Sequence, residues 1–221
     1  MVVDGVGYLF YEKLLSRDLF DVLRIGVGVA RLPFGGAAER LEVGRYASEP
    51  TLLWIDSRRG RAESAVLGDD GYAYVYTTVA EDWAQVVYVA RAPVDALADA
   101  TAYEHLGEDE EWEGSFDAAR PLLVGMPSLS VVHLDALDRY AFLFPGFLSN
   151  SVYGKLGDTP VGPFGDTTLL FEGESPRELW IHHVAAHAAF GVGGERRFVS
   201  SYFTDPEKSP AGIRFVDVAL R

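Results

Sequence analysis

Four times along this chain an aromatic-rich strand pattern returns. GYLFYEKL, GYAYVYTT, RYAFLFPG and RFVSSYFT align on Tyr8, Tyr72, Tyr140 and Phe198, and so recur 64, 68 and 58 residues apart. A period of this kind constrains a fold more than any composition can, because each repeat must be one supersecondary unit that buries its apolar face against the next. Each pattern is followed by a second β-rich run: RIGVGVARL, QVVYVARAP, SVYGKLGD and IRFVDVAL. The first three continue into a turn and a short outer run, AERLE, TAYEHL or TTLLFE. Ahead of the last three stand the apolar runs ESAVLGD, LSVVHLD and WIHHVAAHA. Strand signals this dense, with helix signals nearly absent, predict an all-β chain. One stretch stays open: HHVAAHAAF fits a short helix as well as a strand, since alanine favours helix and the apolar spacing suits either period.

A unit of about four antiparallel strands repeating at this distance is the blade of a β-propeller. The sequence therefore predicts a single propeller domain over 1–221, with blades at approximately 1–45, 61–106, 128–173 and 180–221. A β-sandwich with accidental internal likeness is the alternative. Aligning VVDGVGYLF with AVLGDDGYAY puts Val2 and Val3 at the end of an innermost strand whose beginning is missing. The expectation is an N-terminally incomplete propeller or a compact four-bladed one; five blades at this spacing would need about 320 residues.

Charge then narrows the ligands. Nineteen basic residues against 33 acidic ones leave a net charge of −14. A nucleic-acid binder needs a basic stripe, and an anionic membrane or polyanion is repelled by the same surplus, whereas a neutral glycan meets no such penalty. With no cysteine, neither a disulfide framework nor a thiolate zinc site is available. The start MVVDGVGYLF shows no signal peptide, and the longest weakly charged run, 179–194, is too polar for membrane insertion.

The series ESAVLGDDGYAYVYTT, VVYVARAPVDAL, TAYEHLG, Trp112, SVVHLD, RYAFLF and GDTPVGPFGDTTLLFE resembles a bacterial five-bladed propeller family. That family was long labelled a domain of unknown function and includes endo-D-arabinanases. It is similar to the wider group of arabinanase- and invertase-like glycosidase propellers, in which a Gly-Pro-aromatic turn of this type recurs. The resemblance covers roughly residues 5–220 and implies five blades, catalytic carboxylates on innermost strands near the axis, a furanose-rich polysaccharide such as an arabinan as substrate, and an extracellular or cell-surface location. It also implies that important acids come from early blades. Its motifs are mostly structural, so they speak for fold more than for activity.

Propeller geometry sorts the loops. The turn 157–166 joins a third strand to a fourth and falls on the face away from a ligand; its prolines and glycines preset turn dihedrals and read as architecture. The ligand-side segments hold Trp54, Trp83 and Trp112, whose indole faces suit stacking on sugar rings; filling gaps between blades is the competing role. Glu63, opening the strand ESAVLG, is the candidate catalytic carboxylate, with a structural ion pair to Arg61 or Arg91 as the alternative. A glycosidase needs a second carboxyl, and no acid stands at an equivalent strand start: the matching positions are Ser128 and Ser130, and His182 and His183. Glu49, in the loop entering that strand, is a weak partner. Arg61 and Ser130 count as further glycan contacts, as do His183 and His187. The sequence HVAAH has zinc-protease histidine spacing, but valine stands where the general-base glutamate must be. A related axial histidine, sometimes near a cation, is what the resemblance implies for His187; neutral imidazoles in a polar channel are the simpler reading. The acidic run GEDEEWEG lacks the alternate-residue order of a calcium loop and reads as a solvated surface. No cofactor or metal is expected beyond a possible structural or axial divalent cation. Two functions remain: a glycoside-hydrolase-like propeller, or a non-catalytic glycan-binding one, including a fragment with no activity of its own.

Overall fold

The structure, a computed structural model, describes residues 1–16, 22–55, 60–81, 84–126, 128–174, 181–187, 197–204 and 213–219. Trp83, Trp180 and the turn at 191–195 lie outside these residues. The chain is all-β, and its described strands form four antiparallel sheets of the blade type, in chain order. They fall into two compact units, Met1–Leu122 and Leu123–Arg221.

In the first unit, one sheet runs β1 (Val2–Val3), β2 (Val6–Ser16), β3 (Val22–Leu32) and β4 (Glu39–Arg40), with β5 (Leu52–Trp54) also paired to β3. The second runs β6 (Arg61–Leu67), β7 (Tyr72–Glu81), β8 (Ala84–Pro93), β9 (Glu104–Leu106) and β10 (Trp112–Glu113). The repeated aromatic strand is thus the second strand of each sheet, and the run ending VARLP or VARAP is its hairpin partner: Gly7 faces Leu32 and Tyr72 faces Pro93. Stacking one sheet on another buries both faces of the middle strands, so 73–78 of β7 is buried without interruption instead of alternating. Val27, Val29, Leu53, Trp54, Val75, Ala90 and Tyr103 form the core of this unit.

The glycines of GVGVA have a packing reason. A Cβ at Gly26 would come within 2.2 Å of the Trp54 carbonyl oxygen, and one at Gly28 within 2.4 Å of the Thr51 carbonyl oxygen. The β5 segment therefore closes onto β3 only because those side chains are absent.

The second unit begins with the short β11 (Leu123–Val124) and carries two sheets. One is β12 (Ser130–Leu134), β13 (Arg139–Pro145), β14 (Ser151–Gly157) and β15 (Thr168–Glu172); the other is β16 (Ile181–His187), β17 (Arg197–Thr204) and β18 (Ile213–Ala219). The ambiguous HHVAAH stretch is strand β16, because pairing to β17 and burial of Ile181 and Val184 outweigh the helix preference of its alanines. Leu134, Leu143, Val152, Ile181, Val184, Phe198 and Tyr202 make its core. The turn 157–166 does join the third strand to the fourth. It is closed by reciprocal Thr159–Gly162 backbone bonds and sets Phe164 edge-on against Phe142 at 4.8 Å.

Candidate functional site

The polar cluster that stands out is built where β2, β3, β6 and β7 of the first unit come together. Glu63 is the extra residue of a β-bulge: the β6–β7 register shifts between Ala62 and Ser64. A bulge bends its strand and re-aims the inserted side chain, and bulges are frequent beside active sites. The Glu63 side chain is only 8% exposed, and its Oε1 accepts a hydrogen bond from Thr78 Oγ1 at 2.7 Å while lying 3.0 Å from Arg61 Nε. A carboxylate this buried requires a cation and a donor to hold it, and both are supplied. Of the two partners the sequence offers, Arg61 is the one paired to Glu63; Arg91 instead binds Glu104.

A second carboxyl stands near it, which strand-start matching cannot find. Glu12 lies within β2, which packs on β6, and its Oε1 is 3.5 Å from Arg24 Nε on β3, an ion pair longer than a direct hydrogen bond. Burial is the largest influence on Glu12 and pushes its carboxyl above the ordinary value of 4.5. The Arg24 and Arg61 charges pull it back down, and the nearby Glu63 charge pushes it up again. The two carboxyls thus differ in environment: Glu63 is clamped by a cation and a hydroxyl, whereas Glu12 leans towards its protonated form. Such divergence is how paired carboxyls divide acid and base roles. Glu49 is no partner for Glu63; it pairs with Lys13.

The raised proton affinity of Glu12 sets a pH dependence with a definite sign. As pH climbs from the ordinary glutamate value through the raised folded value, the unfolded chain loses its proton first, and stability falls. Glu12→Gln is neutral throughout and should melt with the parent at acid pH but above it at neutral pH. Parallel thermal melts across that range check this; a variant less stable than the parent at neutral pH would reverse the sign.

Beside this cluster, and sharing Arg24 with it, is a cleft of about 570 Å³. Gly60, Glu81, Tyr88, Phe116 and Asp117 are among its lining residues. Gly60 has φ +70° and sits so close to Thr78 that a Cβ would come within 1.9 Å of that carbonyl oxygen, so only glycine fits. Burial and a hydrogen bond donated to Glu81 push the Tyr88 phenol up to about 12, which keeps it an O–H donor.

The other candidates have different surroundings. Trp54 is 2% exposed, and its ring meets Tyr103 edge-on at 5.6 Å within the core of the first unit, so it has no face for a sugar. It fills space because β5 folds over β3. Trp112 carries the Arg91 guanidinium over its ring at 4.0 Å and meets Tyr74 at 5.8 Å, so a cation already occupies the face that stacking would use. Ser130 is 8% exposed and its Oγ accepts from the Ala186 amide at 3.0 Å, tying β12 to β16. His183 is the bulge residue of β16, exposed, at φ +50°. His187 Nε2 lies 2.8 Å from Ser201 Oγ. In the acidic run, Glu108–Glu110 form an exposed 3₁₀ turn.

A second groove, of about 670 Å³ in the second unit, is lined mainly by leucines (Leu137, Leu143, Leu156, Leu169, Leu170), and Asp166 is its single acidic lining residue. It lacks the paired carboxyls of the first unit.

Comparison with known proteins is consistent with this fold. No curated protein matches the chain in sequence. Among solved structures, a protein of Bacteroides ovatus ATCC 8483 described as a "putative hydrolase" superposes at TM-score 0.65, with 18% identity over 99% of this chain and 59% of its own. A glycosyl hydrolase from Bacteroides ovatus superposes at TM-score 0.54, with 12% identity over 97% of this chain and 63% of its own. The chain therefore spans about three-fifths of the length of either, and at these identities the likeness is one of fold. The sequence over residues 48–215 matches the family described as a domain of unknown function, DUF5005, and the chain belongs to that family.

Proposed function

We propose that this protein is a glycan-active propeller of the glycoside-hydrolase type, in which Glu12 and Glu63 are the two carboxyls of the reaction. The carrying observation is their pairing in one polar cluster with opposite tendencies: Glu63 held by Arg61 and Thr78, Glu12 biased by burial towards its acid form. Glycoside hydrolysis asks for this division of labour, a protonated carboxyl to donate to the leaving oxygen and an ionised one to act as nucleophile or to activate water. Thr78 and Arg61 orient Glu63, and Arg24 stands beside Glu12 to stabilise the carboxylate left after proton donation. The fold likeness to a glycosyl hydrolase supports the reading, and the net charge of −14 favours a neutral polymer.

The family resemblance points to a furanose-rich polysaccharide such as an arabinan, met outside the cell. Reducing-end release from arabinans, galactans and xylans tests this. Release from an arabinan, abolished in Glu63→Gln, is expected. Binding without release from any of them would instead favour the non-catalytic glycan-binding reading.

A further inference from the structure

We infer that the cleft lined by Arg24, Glu81, Tyr88, Phe116 and Asp117 is a sugar subsite that accepts uncharged residues and rejects uronates. The inference rests on the glycan reading above and adds to it the substrate's charge class. A concavity of several hundred Å³ with a few convergent polar groups is of ligand size, and this one shares Arg24 with the carboxyl cluster. A glycan whose bond lies at Glu12 and Glu63 would extend its next ring past Arg24 into it.

The lining chemistry is that of hydroxyl recognition. Phe116 is half-buried and is braced from behind by Tyr88 at 5.2 Å and His105 at 5.5 Å, which fixes the orientation of a flat apolar surface in the cleft wall. Ser115 caps the short turn that carries it, its Oγ accepting from the Asp117 amide at 3.3 Å. Tyr88 donates to Glu81 at 2.6 Å, so the two form one aligned polar edge. The carboxylates of Glu81 and Asp117 accept hydrogen bonds from sugar hydroxyls but repel a sugar carboxylate. Arg24 is the single cation in the lining, and it already faces Glu12. An acidic sugar would therefore meet two like charges and one engaged counter-charge, whereas a neutral one meets acceptors and a ring.

The test is calorimetric binding of neutral arabino-oligosaccharides and of oligogalacturonate to the Glu63→Gln protein, in which the ligand survives. The neutral probe is expected to bind and the uronate not to bind. Phe116→Leu, which keeps apolar volume but loses the flat face, should weaken the neutral probe roughly tenfold. Asp117→Lys, at an exposed position, should bring uronate binding into range. Equal binding of both probes, failure of the neutral probe to bind, or indifference to both substitutions would overturn the inference. If polysaccharide release fails in the parent protein but this binding pattern appears, the subsite stands and the catalytic reading falls. If release occurs and Phe116→Leu leaves KM unchanged, the subsite falls and the catalytic reading stands.

Discussion

Glu63→Gln is expected to fold like the parent and to release sugar about 10²–10⁴-fold more slowly, the range by which a positioned acid or base accelerates a reaction. Glutamine keeps the shape and an oxygen that can accept from Thr78, so the fold survives; the negative charge paired to Arg61 is what disappears. The loss should fall on kcat and leave KM nearly unchanged, because the interaction is made in the transition state. Glu12→Gln separates the two roles. A general acid matters most when the leaving group is poor, so this variant should lose as much on a natural polysaccharide yet keep much of its rate on an activated aryl glycoside. Equal losses on both substrates would show that Glu12 does not donate the proton.

The second large effect is on stability. Trp54→Ala should cost about 3–5 kcal/mol, the usual range for removing a fully buried tryptophan. The ring packs on Tyr103 among Val27, Val29, Leu53 and Val75, and the cavity cannot collapse easily because the β5 backbone is already closed onto Gly26 and Gly28. Chemical denaturation followed by far-ultraviolet circular dichroism reads this directly. A glycan platform at Trp54 would give the opposite pattern, an unchanged melt with weakened binding.

Sequence patterns carried most of the architecture because repeats and turn chemistry are local properties. The spacing of Tyr8, Tyr72, Tyr140 and Phe198 marks the second strand of each sheet, and the Gly/Pro turn at 157–166 marks a third-to-fourth connection. Half of the carboxyl pair was legible too, since Glu63 opens a recognisable innermost strand. Glu12 was not. It sits in YEKLLS, an ordinary alternation of polar and apolar residues, and no spacing from Glu63 at position 63 announces their meeting. The tryptophans misled for a related reason: composition says that an indole is large and flat, not which side of a sheet it occupies.

What the amino-acid order determined alone is the all-β class, the period of the sheets, the places where glycine is obligatory and the anionic balance that turns polyanions away. These follow from propensities, steric limits and charge counts that need no partner. Tertiary packing decided that β2 lies against β6, that Trp54 and Ser130 belong to packing, and that a bulge presents Glu63 to Thr78 and Arg61. It also decided which carboxyl is pushed towards its acid form, because desolvation depends on what covers a group, and that is a property of neighbours brought from elsewhere in the chain.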